Sequence, residues 1–312
     1  MTERRLTWMI ASTVFAVLVA VAAVLGPSIR PEASSPDGGS EIAAIDLPAW
    51  SAGDTWTYNM TLARAPDGSD PASSGGGLSG TITKTVVGTV NARGGSAYNV
   101  SLAADFAGAM DSMMEDDDHI RVTEASVDGY SWYRTADLAK IRDVRTLTLE
   151  GETSWMAGTA SARLTVWTDA SYEPAWDLWA FPIEENESWA VRSNATVDVR
   201  SLFRLEAPDH SFEYEKNGSF TIPIAYTMGS GTAETVTTPA GTFEAMRTFV
   251  AGPADDHGDV AGILAWIGDE AAYASLEAWF SPDVENVVRV VGTAGGSRPI
   301  RIEVALVSFH VG

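Results

Sequence analysis

The sequence predicts a mainly β protein with two tandem antiparallel β-rich repeats, each a half-barrel or curved sheet with short capping helices, after one N-terminal transmembrane helix. Three observations predict this fold class. Short runs rich in Val, Thr, Ile, Tyr and Trp alternate with Gly, Asn-Gly and Asp-Gly turns. Two of these runs recur in the second half, and an uncharged stretch lies near the N-terminus. Helical spacing occurs only in residues 104–114 and 260–267.

The uncharged stretch is residues 6–26, about twenty residues long, which as a helix matches the roughly 30 Å of a bilayer core. Arg4 and Arg5 precede it, so the positive-inside rule keeps residues 1–5 in the cytoplasm and sends the rest outside. A cleaved signal peptide is the alternative, because its positive flank is the same. We therefore expect a single-pass protein of the cell membrane, attached through this helix, with an extracellular C-terminal ectodomain.

Composition excludes several classes of protein. The chain has 312 residues, 42 acidic and 20 basic side chains, a net charge of −22 and no cysteine. The negative charge argues against sequence-independent nucleic-acid binding, which needs a basic surface. Without cysteine there is no disulfide, thiol nucleophile or thiolate metal site. This acidic, lysine-poor composition is typical of exported archaeal proteins, and its charge keeps such a chain soluble in salt.

Five of the seven asparagines lie in N-x-[ST] sequons, which predicts an N-glycosylated surface. Fortuitous sequons in a Ser/Thr-rich β protein are the alternative. Asn59 lies three residues after Trp56, and Asn194 lies five residues after Trp189. Because successive side chains of a strand point to opposite faces, these odd spacings predict that each asparagine faces away from its tryptophan. The five predicted glycosylation sites are Asn59, Asn99, Asn186, Asn194 and Asn217.

The second half of the chain repeats features of the first. Trp56 aligns with Trp189 at the opening strands, and the later strands align Trp132 with Trp279 and Arg142 with Arg289. The predicted organisation is a cytoplasmic N-terminus (1–5), an anchor or signal peptide (6–26), a flexible stalk (27–47), a first repeat (48–170), an apolar connector (171–183) and a second repeat (184–312).

Three motifs resemble a loose family of exported, often lipid-anchored β-rich proteins of prokaryotes. They are W-x-x-G-D-x-W-x-Y at 50–58, T-P-A-G-T-F at 238–243 and the W-F-S-P…V-V-R strands at 279–289. The resemblance implies an architecture similar to the half-barrels of bacterial lipoprotein carriers, whose concave sheet holds acyl chains. It also implies a lipid-like hydrophobic ligand. The first repeat lacks T-P-A-G-T-F, and Asn186-Glu187 replaces Gly-Asp in the second opening.

Each repeat also has a short apolar segment, which we expect to form an ordinary core helix that caps an open sheet end. The alternatives are a lid over such a ligand, and a patch that faces a membrane or a partner. The candidate ligand-binding residues are Phe106, Met110, Met113, Met114, Ile263, Leu264 and Trp266.

Beside each apolar segment lies an acidic loop that ends in Asp-Asp-His. We expect these to be solvated loops without a cofactor, as a chain with a net charge of −22 has many acidic side chains at its surface. The alternatives are a Ca²⁺ site, because clustered carboxylates suit a hard cation although neither loop has EF-hand spacing, and a transition-metal site assisted by histidine. The candidate Ca²⁺ ligands are Asp116, Asp117, Asp118, Asp255, Asp256 and Asp259.

No nucleophile elbow, P-loop or H-E-x-x-H motif occurs, so we expect no catalytic residues and no enzyme activity. The predicted function is a structural or protein-interaction role in the cell envelope, with an envelope protein as partner and no nucleic acid. The alternative is a carrier of a lipid-like ligand. A carrier requires a continuous apolar pocket of roughly 300–1,000 Å³, whereas a structural module fills its interior with its own side chains.

Overall fold

A computed structural model describes residues 42, 44–64, 77–92, 95–111, 120–155, 158–208, 210–253, 275–294 and 300–312. Within these residues the chain forms β-strands and turns. The strands are β1 (Ala44–Ile45), β2 (Thr55–Arg64), β3 (Gly77–Ala92), β4 (Gly95–Asp111), β5 (Ile120–Arg134), β6 (Lys140–Trp155), β7 (Gly158–Trp176), β8 (Ile183–Glu184), β9 (Ser188–Ala207), β10 (His210–Thr238), β11 (Gly241–Pro253), β12 (Ser275–Ser281), β13 (Asn286–Ala294) and β14 (Ile300–His310).

Twelve of these strands form one closed antiparallel barrel, and β1 pairs with β8 in a separate two-stranded sheet. The barrel consists of two successive six-stranded meanders, β2 to β7 and β9 to β14, in which each strand pairs with the next along the chain. The meanders join where β14 pairs with β2 and where β7 pairs with β9. The repeat and connector boundaries at 48–170, 171–183 and 184–312 stay predictions.

The long strand β10 pairs with different neighbours along its length. Residues His210–Gly229 pair with β9, and Tyr226–Thr238 pair with β11, so the two ladders overlap over only a few residues. The first part of β10 thus pairs with β9 and its last part with β11.

Every second side chain along a barrel strand points into the interior. On β2, Trp56, Tyr58, Met60 and Leu62 are all buried, whereas Asn59 is exposed on the opposite face. Similar alternation on the other strands produces a large continuous core that both meanders share.

Equivalent backbone geometry opens the two meanders. Gly53 (φ 101°) and Asn186 (φ 55°) both have positive φ, where Gly and Asn are the best tolerated residues. Each donates its N–H to a neighbouring strand, Gly53 to the carbonyl of Val86 at 2.8 Å and Asn186 to that of Gly231 at 3.4 Å. The replacement of Gly-Asp by Asn-Glu therefore preserves the opening turn.

The second equivalence joins neighbouring strands in each meander. The guanidinium of Arg142 lies 5.0 Å from the ring centroid of its register partner Trp132. The guanidinium of Arg289 lies 5.4 Å from that of its register partner Trp279.

The predicted fold class is wrong in two respects, although the prediction of a β-rich protein is confirmed. The strands form one closed barrel and not separate half-barrels or curved sheets, because β14 pairs with β2 and β7 with β9. The predicted capping helix at 104–114 is wrong over 104–111, which continue β4 in register with β3 and β5. Residues 112–114 and 260–267 lie outside the described residues.

The predicted membrane attachment is also corrected. Among the described residues, no helix has the length and apolar character that crossing a bilayer requires. The structure does not bear out the single-pass anchor, the membrane as a partner, or the cell-membrane localisation with an extracellular ectodomain. Residues 1–5, 6–26 and the stalk up to residue 41 lie outside the described part.

Candidate functional site

Aromatic side chains close one end of the barrel. The ring of Trp50, just before β2, lies 5.3 Å from that of Trp56, 5.5 Å from Tyr98 and 5.6 Å from Tyr133, measured between centroids. Its indole N–H donates to the carbonyl of Glu285 at 2.9 Å, so a residue before the first meander is fixed to a loop of the second.

The segment before β9 adds a second set of rings to the same end. Trp179 and Phe181 lie 5.6 and 5.5 Å from Phe280. Nearby, Ile45 of β1 pairs with Ile183 of β8, and both side chains are buried in the main core. We call Trp50, Tyr133, Trp179, Phe181 and Phe280 the aromatic plug.

A cavity of about 40 Å³ lies behind this plug. Rings of the plug line it, together with the side chains of Lys84 and Asn286. Since one water needs about 10–15 Å³ of such space, the cavity has room for a few waters or one small ion. It is far smaller than the roughly 300 Å³ at which pockets for larger organic ligands begin.

Charged side chains lie inside the barrel near this cavity. Lys140 and Arg145 of β6 are each 3% exposed. Both pair with Asp143, at 3.8 Å from the Lys140 ammonium and 2.6 Å from the Arg145 guanidinium. The hydroxyl of Ser131 donates to Asp143 at 2.8 Å and accepts from Arg145 at 2.7 Å. The carboxylate is thus held by two cations and a hydroxyl.

Lys84 of β3 completes this group, and we call Lys84, Lys140, Arg145 and Asp143 the interior cation cluster. Lys84 is 9% exposed, and its ammonium lies 5.6 Å from the ring centroid of Tyr58. Burial, and then the positive charges of Lys140 and Arg145, lower the pKa of Lys84 to about 7, which Asp143 partly opposes.

Aromatic rings surround the rest of the cluster. The ammonium of Lys140 lies 5.1 Å from the ring centroid of Trp176 and 5.6 Å from that of Tyr133. The indole N–H of Trp176 donates to the hydroxyl of Tyr226 at 2.7 Å. Burial raises the pKa of Tyr226 far above its usual range, so this hydroxyl stays protonated. The cluster therefore lies in a low-dielectric setting in which its charges interact strongly.

The predicted lid residues do not form a site in the described structure. Phe106 faces inward from β4 and is 4% exposed within the main core. Met110 lies near the end of β4 in register with Val122. The remaining candidates, Met113, Met114, Ile263, Leu264 and Trp266, lie outside the described residues.

The candidate calcium ligands belong to segments beyond the described residues. The part of the chain that the structure describes brings together no group of three or more His, Cys, Asp or Glu side chains suited to a metal ion. All six candidates, Asp116, Asp117, Asp118, Asp255, Asp256 and Asp259, lie outside that part.

The five sequon asparagines differ in their surroundings. Asn99 is half-buried, and its side-chain carbonyl oxygen is buried without a hydrogen-bond partner. The other four are exposed, namely Asn59, Asn186, Asn194 and Asn217. Their glycosylation stays a prediction.

The interior cation cluster was missed by sequence reasoning. One signal was present: Lys84 has the same parity as Ile82 and Val86 in its strand, which predicts an inward-facing lysine. A second signal is that the chain has only three lysines, of which Lys84 and Lys140 are in this cluster.

Comparison with known proteins adds no relative to this description: no family model, no curated protein and no solved structure matches the chain.

Proposed function

We propose that this protein is a structural or protein-interaction module without catalytic activity. The observation that carries the proposal is that, among the described residues, side chains of both meanders pack into one buried apolar core. The cavity behind the aromatic plug measures only about 40 Å³.

This filling argues against the alternative of a lipid carrier. A carrier of the kind that the resemblance implies needs an apolar pocket of roughly 300–1,000 Å³. Phe106, a candidate lid residue, packs into the core. An acyl chain would have to displace core side chains, each of which contributes about 1.5–3 kcal/mol by its burial.

Side-chain contacts between strands of the barrel wall also support a structural role. Arg142 stacks on Trp132 of β5 and donates to Asp169 of β7 through its Nε at 2.9 Å, so one side chain connects three adjacent strands. In the second meander Arg289 stacks on Trp279 of β12 and pairs with Glu303 of β14 at 3.3 Å. The same three-strand connection therefore occurs twice in the wall.

Native mass spectrometry of the gently purified, deglycosylated full-length chain tests the proposal. We expect no adduct of several hundred daltons on the polypeptide, and no saturable binding of a fluorescent fatty acid. The control is Phe280→Ala, which removes a plug ring that is 2% exposed and enlarges the cavity, so that small apolar probes gain a binding site. A wild-type adduct of several hundred daltons that is lost on denaturation would overturn the structural proposal in favour of the carrier.

A further inference from the structure

We propose that the cavity behind the aromatic plug binds one small monovalent anion, such as chloride, beside Lys84. This inference is independent of the proposed function. It rests on the charge, the donors and the size of the cavity.

The charge comes from the interior cation cluster. Three cationic side chains, each at least nine-tenths buried, lie close together: Lys84, and the Lys140 and Arg145 that pair with Asp143. Burial of cations in a low-dielectric interior is costly, and a bound anion offsets that cost by direct attraction. The cavity lies at Lys84, so an anion there is closest to the lysine and still attracted by the other two cations.

The wall of the cavity supplies suitable donors. The Lys84 ammonium has three N–H donors. The side-chain carbonyl of Asn286 accepts from the N–H of Val287 at 2.9 Å, which fixes the amide so that its NH₂ group is the end with donors to offer. Trp50, Tyr133 and Phe280 contribute aromatic rings, whose edges carry partial positive charge and tolerate an anion.

The size of the cavity selects the anion. A volume of about 40 Å³ admits a halide and one or two waters. It excludes a six-carbon anion such as gluconate, which therefore serves as a control of equal charge that cannot enter.

The test measures urea unfolding of the full-length chain at pH 6 and constant ionic strength, with sodium chloride or bromide replacing sodium gluconate in steps. We expect a saturable rise of the unfolding midpoint with either halide, as linkage requires for a ligand that binds only the folded state. The rise should disappear in Lys84→Met and persist in Lys216→Met, which removes an exposed lysine of β10.

Two results would overturn the proposal: a midpoint that is the same in halide and gluconate, or a halide effect of equal size in Lys84→Met. If Lys84→Met does not fold, anomalous scattering from crystals of the wild-type protein grown in bromide decides. A bromide peak within contact distance of the Lys84 ammonium supports the site, and water density alone there overturns it.

Discussion

Leu138 and Glu285 are equivalent residues 147 positions apart, and both adopt the left-handed backbone conformation, with φ of 58° and 55°. Each lies in the loop between the fourth and fifth strands of its meander, β5–β6 and β12–β13. Side chains other than Gly and Asn are disfavoured there by about 1 kcal/mol or more. Two unrelated side chains at matched positions indicate that the loop geometry, and not the residue, is what the two meanders share.

Replacement of Glu285 by glycine should stabilise the protein. Glycine removes the left-handed strain, and it also removes a carboxyl whose pKa is raised by burial and by Asp54. We expect Glu285→Gly to raise the free energy of unfolding by about 0.5–1 kcal/mol, measured by urea titration. The control Asp283→Gly lies in the same loop without positive φ and should lower it. Equal effects of the two changes would contradict the strain argument.

The low pKa of Lys84 predicts a pH-dependent stability. Because folding lowers this pKa from 10.5 to about 7, the unfolded chain binds more protons between those values, and stability rises with pH across that window. The slope from one such group approaches about 1.4 kcal/mol per pH unit. The destabilisation is complete below pH 7 and decreases toward pH 10.

Urea unfolding at pH 7, 8 and 9 in gluconate buffer, without halide, measures this slope. Lys84→Met should be more stable than the wild type at pH 7 and should have a flatter pH profile. The exposed Lys216→Met is the control and should keep the wild-type slope. The raised pKa values of Tyr58 and Tyr226 change the stability only at higher pH, where tyrosines of the unfolded chain ionise. A Lys84→Met profile as steep as that of the wild type would refute the assignment.

Removal of the Arg142 side chain should weaken the wall. Arg142→Ala loses the stacking on Trp132 and the paired hydrogen bonds to Asp169. Because both charged groups of the ion pair are more than one-third exposed, we expect a loss of about 1 kcal/mol in total. Arg163→Ala removes only an exposed ion pair with Glu150 at 3.4 Å and should cost less than about 0.5 kcal/mol. If the two variants lose the same stability, the stacking contributes nothing.

The sequons should differ in glycan occupancy when the chain is made in a host that glycosylates N-x-[ST]. Asn99 should stay unmodified, because its side chain is half-buried in the sheet, with its carbonyl oxygen fully buried, and the amide has little room for a glycan. Peptide mass spectrometry after enzymatic deglycosylation in heavy water measures each site. Substantial modification at Asn99 would contradict the expectation. Occupancy is expected at the four exposed sites, Asn59, Asn186, Asn194 and Asn217.

Local features of the fold were predictable from sequence because strand alternation is a local signal. Trp56 is buried and Asn59 exposed, as their odd spacing requires. The helix expected over 104–114 was wrong over 104–111, where the period-two alternation of Leu102, Ala104 and Phe106, all buried on β4, prevails over the helical spacing of the methionines. Pairing with both neighbouring strands decides the structure there.

Closure of the barrel and the interior cation cluster were beyond sequence reasoning for one shared reason. Both depend on which distant strands become neighbours. Lys84 of β3 meets Lys140 and Arg145 of β6 only because the wall curves back on itself, and no spacing along the chain encodes that meeting. Parity predicts that each side chain points inward, but not which other charges it finds there.

The pairing of β14 with β2 has a consequence for how the chain folds. Residues Ile300–His310 must find Thr55–Arg64 across nearly the whole barrel sequence, whereas most other neighbours are joined by hairpins. Closing so large a loop carries a high entropic cost before any contact compensates it. The two meanders can assemble early from local hairpins, and zipping of the first barrel strand to the last is then the slow step. Until that step, both strands expose edges that other chains can pair with, so aggregation competes with completion of the ring.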